Sequence, residues 1–343
     1  MATKLAVGCF IFVMTAQVAV AGVVEDCHQE RGPEVRVRAC TEIIKGPSFK
    51  PEEKSLAYAS RGKARADAGA DREALADFTE SIRLKKDNLS AFAGRGRARL
   101  ALGNLAGSIT DFSEAIRLSP ASAELYVQRG HAYTVSKKAD AAIGDLTQAL
   151  RLDPRSWSAF NERGIAHGKK GDLVRAQGGD AAAQEQYAAA LEDYTAAIAI
   201  APFPVIYANR GYLHESQGRT EDAIKDLRQA LLGDPSLVDA KNALKRLGAA
   251  EAVTIETDRR VRQGATLAEK NCTSCHAVGA TGVSPNKDAV EFRNVYRSHQ
   301  LYALRESIAQ GVIATHDKMP EFKLSFEDTD TIVAYINSLS TGR

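Results

Sequence analysis

Residues 139–154, ADAAIGDLTQALRLDP, read as one amphipathic helix and its stop. Ala141, Ala142, Ile143, Leu146, Ala149 and Leu150 share a face at helical spacing, and Asp153-Pro154 ends the run because proline excludes the residue before it from the helical region. Just upstream stands Arg129-Gly130. The same dipeptide occurs at 61–62, 95–96 and 163–164, each 34 residues from the next, and again at 210–211 after a longer interval. In register with it come Ala74, Ala142 and Ala223, then Phe78, Phe112, Leu146, Tyr194 and Leu227. Next follow Ala115, Ala149, Ala197 and Ala230, and last Pro120, Pro154, Pro202 and Pro235. A unit of this kind cannot bury its apolar face alone and has to stack on its neighbours.

The length of the period and the order of small, aromatic and proline positions resemble the tetratricopeptide repeat. The resemblance implies an all-α helical solenoid of five helix–turn–helix units over residues 55–248, with a capping helix from Leu237 to Leu247 stopped at Gly248. Lys86 replaces the expected proline in the first unit, and Ser108 replaces alanine in the second. The arginine of each dipeptide (Arg61, Arg95, Arg129, Arg163, Arg210) is expected to pack its stem, as an identical slot in every unit suggests. The fourth unit carries an extra segment, roughly Gly168 to Tyr187. It reads either as a partner contact or as a tolerated surface loop. Arrays of this family bind proteins or peptides, so a protein or peptide ligand is the expected partner.

Residues 249–261 show no clear apolar stripe and read as a linker. Beyond them Cys272-Thr273-Ser274-Cys275-His276 matches C-x-x-C-H, the attachment signature of c-type haem. Cysteines three apart on a helical turn project to one side, where they can add to the two vinyl groups at a haem edge. The next residue then offers its imidazole to the iron. A thioredoxin-like pair needs a strand–helix setting, and a structural zinc site needs four ligands, which this segment does not supply.

From about Arg262 to Leu339 the chain resembles class I cytochrome c, which implies a small haem domain over 262–343 with one covalent haem c. Gly264 and Leu267 lie on its first helix, and the glycine allows close crossing with the last helix. That helix opens with a capping pattern, Ser325 to Asp328, and carries Ile332, Val333, Ile336 and Leu339. Leu301, Leu304 and Ile308 fall on a middle helix. The resemblance makes His276 and Met319 the axial ligands and Pro285 the carbonyl that orients His276. Met319 is also the one methionine left after a signal containing Met1 and Met14. His316 is the competing nitrogen ligand, Val290 stands where relatives often have proline, and Lys318 and Lys323 flank the ligand loop.

Met-Ala-Thr-Lys, an apolar run from Leu5 to Val20 and Ala19-Val20-Ala21 have the layout of a secretory signal over residues 1–21. Export to the periplasm is expected, with no membrane span after cleavage. In the 22–54 segment Cys27 and Cys40 are expected to form a structural disulfide, since an oxidising compartment favours one. Lys plus Arg at 45 against Asp plus Glu at 43 leaves no footprint for nucleic acid.

A haem with both axial positions filled has little left to do but exchange electrons, and no separate enzyme site is legible. The expected function is that of an exported electron-transfer cytochrome, not an enzyme, whose array docks it to protein partners, among them an unidentified redox partner. Two alternatives stay open. One is a haem-based sensor or small peroxidase in which Met319 leaves the iron, and the other is a redox-reporting scaffold of an extracytoplasmic complex.

Overall fold

The computed structural model describes residues 22–28, 32–286, 291–298 and 324–340, and every regular element among them is a helix. Residues 22–28 form α1. Then come α2 (Pro33–Lys45), α3 (Pro51–Asp67), α4 (Asp71–Leu84), α5 (Leu89–Ala101), α6 (Leu105–Leu118), α7 (Ala123–Val135) and α8 (Ala139–Leu152). They are followed by α9 (Trp157–Ala176), α10 (Asp180–Ile200), α11 (Pro204–Ser216), α12 (Thr220–Gly233) and α13 (Val238–Arg246). The last are α14 (Ala250–Cys272), α15 (Phe292–Ser298) and α16 (Phe326–Ser340). The signal-like residues 1–21 lie outside the described residues, among which no helix is long and apolar enough to cross a membrane.

The chain divides into two compact units, residues 1–190 and 191–343. In the first, α3 pairs with α4, α5 with α6 and α7 with α8, and each pair stacks on the next. Within a pair the helices approach at the glycine of the Arg-Gly dipeptide. A Cβ on Gly62 would stand 2.9 Å from the Phe78 ring, on Gly96 2.9 Å from Phe112 and on Gly130 2.7 Å from Leu146. In the second unit Gly211 meets Leu227 in the same way, at 2.9 Å. The alternation of small and large residues seen in the sequence is thus a set of repeated knob contacts, and Ala74, Ala115, Ala142 and Ala223 are fully buried between them.

In the arginine ladder Arg61, Arg95, Arg129 and Arg210 are half-buried and ion-paired, and so do more than pack their stems. Nε and Nη2 of Arg61 donate to the two carboxylate oxygens of Asp77, 2.9 and 2.7 Å away and sixteen residues on. Arg95 holds Asp111, Arg129 holds Asp145 and Arg210 holds Asp226 with the same fork. Nη1 reaches back to a hydroxyl on an earlier helix: Thr41 from Arg61, Ser113 from Arg129 and Thr195 from Arg210. Each guanidinium also lies over an aromatic ring of its own helix, Tyr58, Phe92, Tyr126 or Tyr207. One side chain therefore ties its own unit together and joins it to the preceding one. Ser108 is fully buried in the alanine slot and its hydroxyl has no partner, a cost the close fit carries.

The extra segment of the fourth unit is not an open loop. α9 has 20 residues and α10 has 21, where α7 and α8 have 13 and 14, so each helix runs about two turns further. The added part repeats the packing rule of the array. Gly171 faces the buried Tyr187, whose hydroxyl donates to Asp172 at 2.7 Å beneath the Arg175 guanidinium. At the N-terminus the Cys27–Cys40 disulfide (Cα–Cα 4.8 Å) joins α1 to α2, and both cysteines are buried with Ile43 and Ala57.

Residues 249–261, read from the sequence as a linker, are almost entirely helical. α13 ends at Arg246, Gly248 turns the chain at φ +68°, and α14 begins at Ala250 and runs unbroken to Cys272.

Candidate functional site

The C-x-x-C-H motif sits where α14 stops. The backbone N–H groups of Cys275 and His276 both donate to the Cys272 carbonyl, at 3.2 and 2.9 Å, so the three residues share the last turn. The chain is then folded back on them. The Ala277 N–H donates to the buried Ser284 hydroxyl (3.0 Å), the Asn286 N–H to the Cys275 carbonyl (3.2 Å) and the Phe292 N–H to the Ala277 carbonyl (3.0 Å). This brings the Phe292 ring to 5.5 Å from the His276 ring, tilted by 55°.

Neither Cys272 nor Cys275 is in a disulfide. Cys272 is buried and Cys275 half-buried, and burial, with Cys275 beside it, pushes the Cys272 thiol up to about 11. Two unbridged thiols on one turn, with an imidazole next in the chain, are the donor set that covalent haem attachment needs. The residues present fit the group.

Around the motif Ala268, Cys272, Val278, Phe292, Val295, Ile332 and Ile336 form a small core. α14 and α16 cross where a Cβ on Gly264 would collide with the Thr331 carbonyl oxygen, and this is why that position carries no side chain. Arg260 reinforces the crossing through Asp330 at 3.5 Å. α16 is started by Ser325, whose hydroxyl accepts from the Asp328 N–H at 3.0 Å.

Of the residues singled out in the sequence, the structure brings together Cys272, Cys275 and His276. Pro285 is exposed and immediately precedes the Asn286 contact to Cys275. Met319 and His316 lie outside the described residues, as do Val290, Leu301, Leu304, Ile308, Lys318 and Lys323. Phe292 and Ser284 are contributors that the sequence reading did not assign. Nothing in their spacing marks them, because their contacts depend on how the 277–286 loop folds.

The family model for cytochrome c matches residues 261–340. Models for the TPR repeat and the tetratricopeptide repeat match 96–135, and 127–179 with 175–237. Cytochrome c-552 of Bradyrhizobium diazoefficiens is 37% identical over 76 residues, which are 22% of this chain and 71% of that protein. Among solved structures, the APC/C hetero-tetramer Cut9-Hcn1 is similar with a TM-score of 0.51 at 16% identity, over 64% of this chain and 44% of that one. YrrB, a TPR protein with an unusual peptide-binding site, has a TM-score of 0.43 at 18% identity, over 61% of this chain and 99% of that one. MamA has a TM-score of 0.40 at 22% identity, over 50% of this chain and 92% of that one.

Proposed function

Because the chain belongs to the cytochrome c family through residues 261–340, with tetratricopeptide repeats ahead of them, we propose that it is an exported electron-transfer protein that docks to its partners through the array. The observation that carries this reading is the unbridged pair Cys272 and Cys275 on one helical turn with His276, folded under Phe292. When bound, one covalent haem c supplies a one-electron site whose charge the protein can shield from water.

In this reading Cys272 and Cys275 hold the group as thioethers, and His276 is the nitrogen ligand. Phe292 limits rotation of the imidazole and keeps water from it. Pro285 orients His276 through its carbonyl, and Met319 would supply a thioether sulfur to the iron, a soft donor that favours the reduced state. Held by His276 and Met319 together, the group would supply one-electron exchange and not substrate binding at the metal, so the protein acts as a carrier and not as an enzyme. The array binds a protein or peptide, and the chain works in the periplasm after removal of residues 1–21.

The test is a denatured-state haem assay with a potentiometric titration of the exported protein. One covalent haem per chain and a reversible one-electron wave are expected, together with a sulfur-to-iron band that Met319→Ala abolishes. Rapid binding of carbon monoxide or cyanide by the unmodified protein would overturn the carrier reading.

A further inference from the structure

The turn that ends α13 is the turn that ends the first helix of every repeat. In the repeats the N–H opening the second helix's cap donates five residues back: Ala70 to Arg65, Asn104 to Arg99, Lys138 to Tyr133 and Arg219 to His214, at 2.7–2.9 Å. Ala249 donates to the Leu244 carbonyl in the same manner, at 2.8 Å, and the Gly248 N–H reaches Lys245 as Gly218 reaches Glu215. Gly218 and Gly248 also share their backbone, with φ of +70° and +68°. The helix that follows, α14, lies against both α12 and α13. The first helix is shorter, 9 residues in α13 against 13 in α11. Ala249 closes the core formed by Leu227, Leu231, Ala240, Ala243 and Leu244.

The other end of α14 belongs to the haem site. Gly264 and Arg260 fix its crossing with α16, Ala268 and Cys272 enter the small core, and α16 itself touches α12. No residue between Ala250 and Cys272 interrupts the helix, which at 23 residues spans about 34 Å.

We propose that α14 is a shared strut. Its first half leaves α13 through a repeat-type turn and lies against α12 and α13, and its second half leads into the attachment cysteines, so the haem domain is a rigid cap on the last repeat and not a tethered module. A helix common to two packed regions resists bending, because bending would break its own hydrogen bonds and both crossings at once. The functional consequence, which rests on the electron-transfer reading, is that a protein held by the last repeats meets the haem at a set distance. The strut itself rests only on α12 to α16.

The experiment is a pulsed dipolar distance measurement on the full-length, haem-loaded chain with spin labels at Thr220→Cys on α12 and Glu327→Cys on α16, both exposed positions. A single narrow distance is expected in the parent. Inserting Gly-Gly-Ser-Gly-Gly after Asp258 is expected to spread it by about 10 Å, the reach of a flexible linker of that length, while the haem spectrum is kept. A broad distribution in the parent, or an insertion that leaves the distribution unchanged, overturns the strut. If the insertion variant does not fold, the width in the parent decides alone. Failure of the electron-transfer reading would show in the potentiometric titration and leave this distance untouched.

Discussion

The array and the haem domain are both helical, but they are held together in different ways. In the array each contact is local and repeated: a glycine facing a large side chain, and an arginine clamped to the aspartate sixteen residues on. In the haem domain the described core is one small cluster around Ala268, Phe292 and Ile332, and two of its polar anchors are unbridged thiols. The array supplies its own interior, whereas the haem domain is built around a group that the chain does not encode. A region of about 80 residues is small enough to draw much of its stability from such a group.

The largest expected effect comes from removing that group. Cys272→Ser combined with Cys275→Ser should abolish covalent haem and loosen α15 and α16, while amide hydrogen exchange in residues 33–152 stays as in the parent. Exchange that speeds up equally in both regions would erase the contrast. Next comes the ladder. Asp111 is almost fully buried between Arg95 and Arg99, so Asp111→Ala strands two guanidinium groups and should cost about 3–5 kcal/mol in chemical denaturation. Asp145 is clamped by Arg129 and is a little more exposed, so Asp145→Ala should cost less.

A smaller change tests the extension of the fourth unit. Tyr187→Phe removes the hydrogen bond to Asp172 and keeps the ring against Gly171, which should cost about 0.5–1.5 kcal/mol. The smallest effect is one of pH. The Glu162 hydrogen bond raises the His131 pKa above its ordinary value. The stabilisation is therefore complete below about pH 6.5 and is lost as pH rises through the elevated value. Burial lowers His214, so its contribution has the opposite sign: stability is intact above about pH 6.5 and falls as His214 is forced to protonate. Thermal melts of His131→Ala should lose the decline on the alkaline side, and those of His214→Leu the decline on the acid side.

Much of the array was legible because its signals are short-range. The stop at Asp153-Pro154, the glycine opposite Leu146 and the end of α13 at Gly248 all follow from residues within one helical hairpin. The aspartates were not singled out. Asp77, Asp111, Asp145 and Asp226 each stand one residue before the large knob, but without a view across the hairpin they pass for solvated charge. The motif at Cys272 to His276 was readable by itself, and the Phe292 contact was not, since it hangs on three loop hydrogen bonds.

By itself, the sequence determined the repeat, the hairpin contacts, the disulfide-capable pair Cys27 and Cys40 and the attachment motif, because each depends on chemistry between residues at a set offset. Only the tertiary structure decided that the arginines are clamped, that the fourth-unit insertion lengthens two helices and that residues 249–261 continue into the haem helix. Those outcomes depend on which neighbour receives a charge or a helix face. That is settled by packing over distances at which a period in the sequence carries no information.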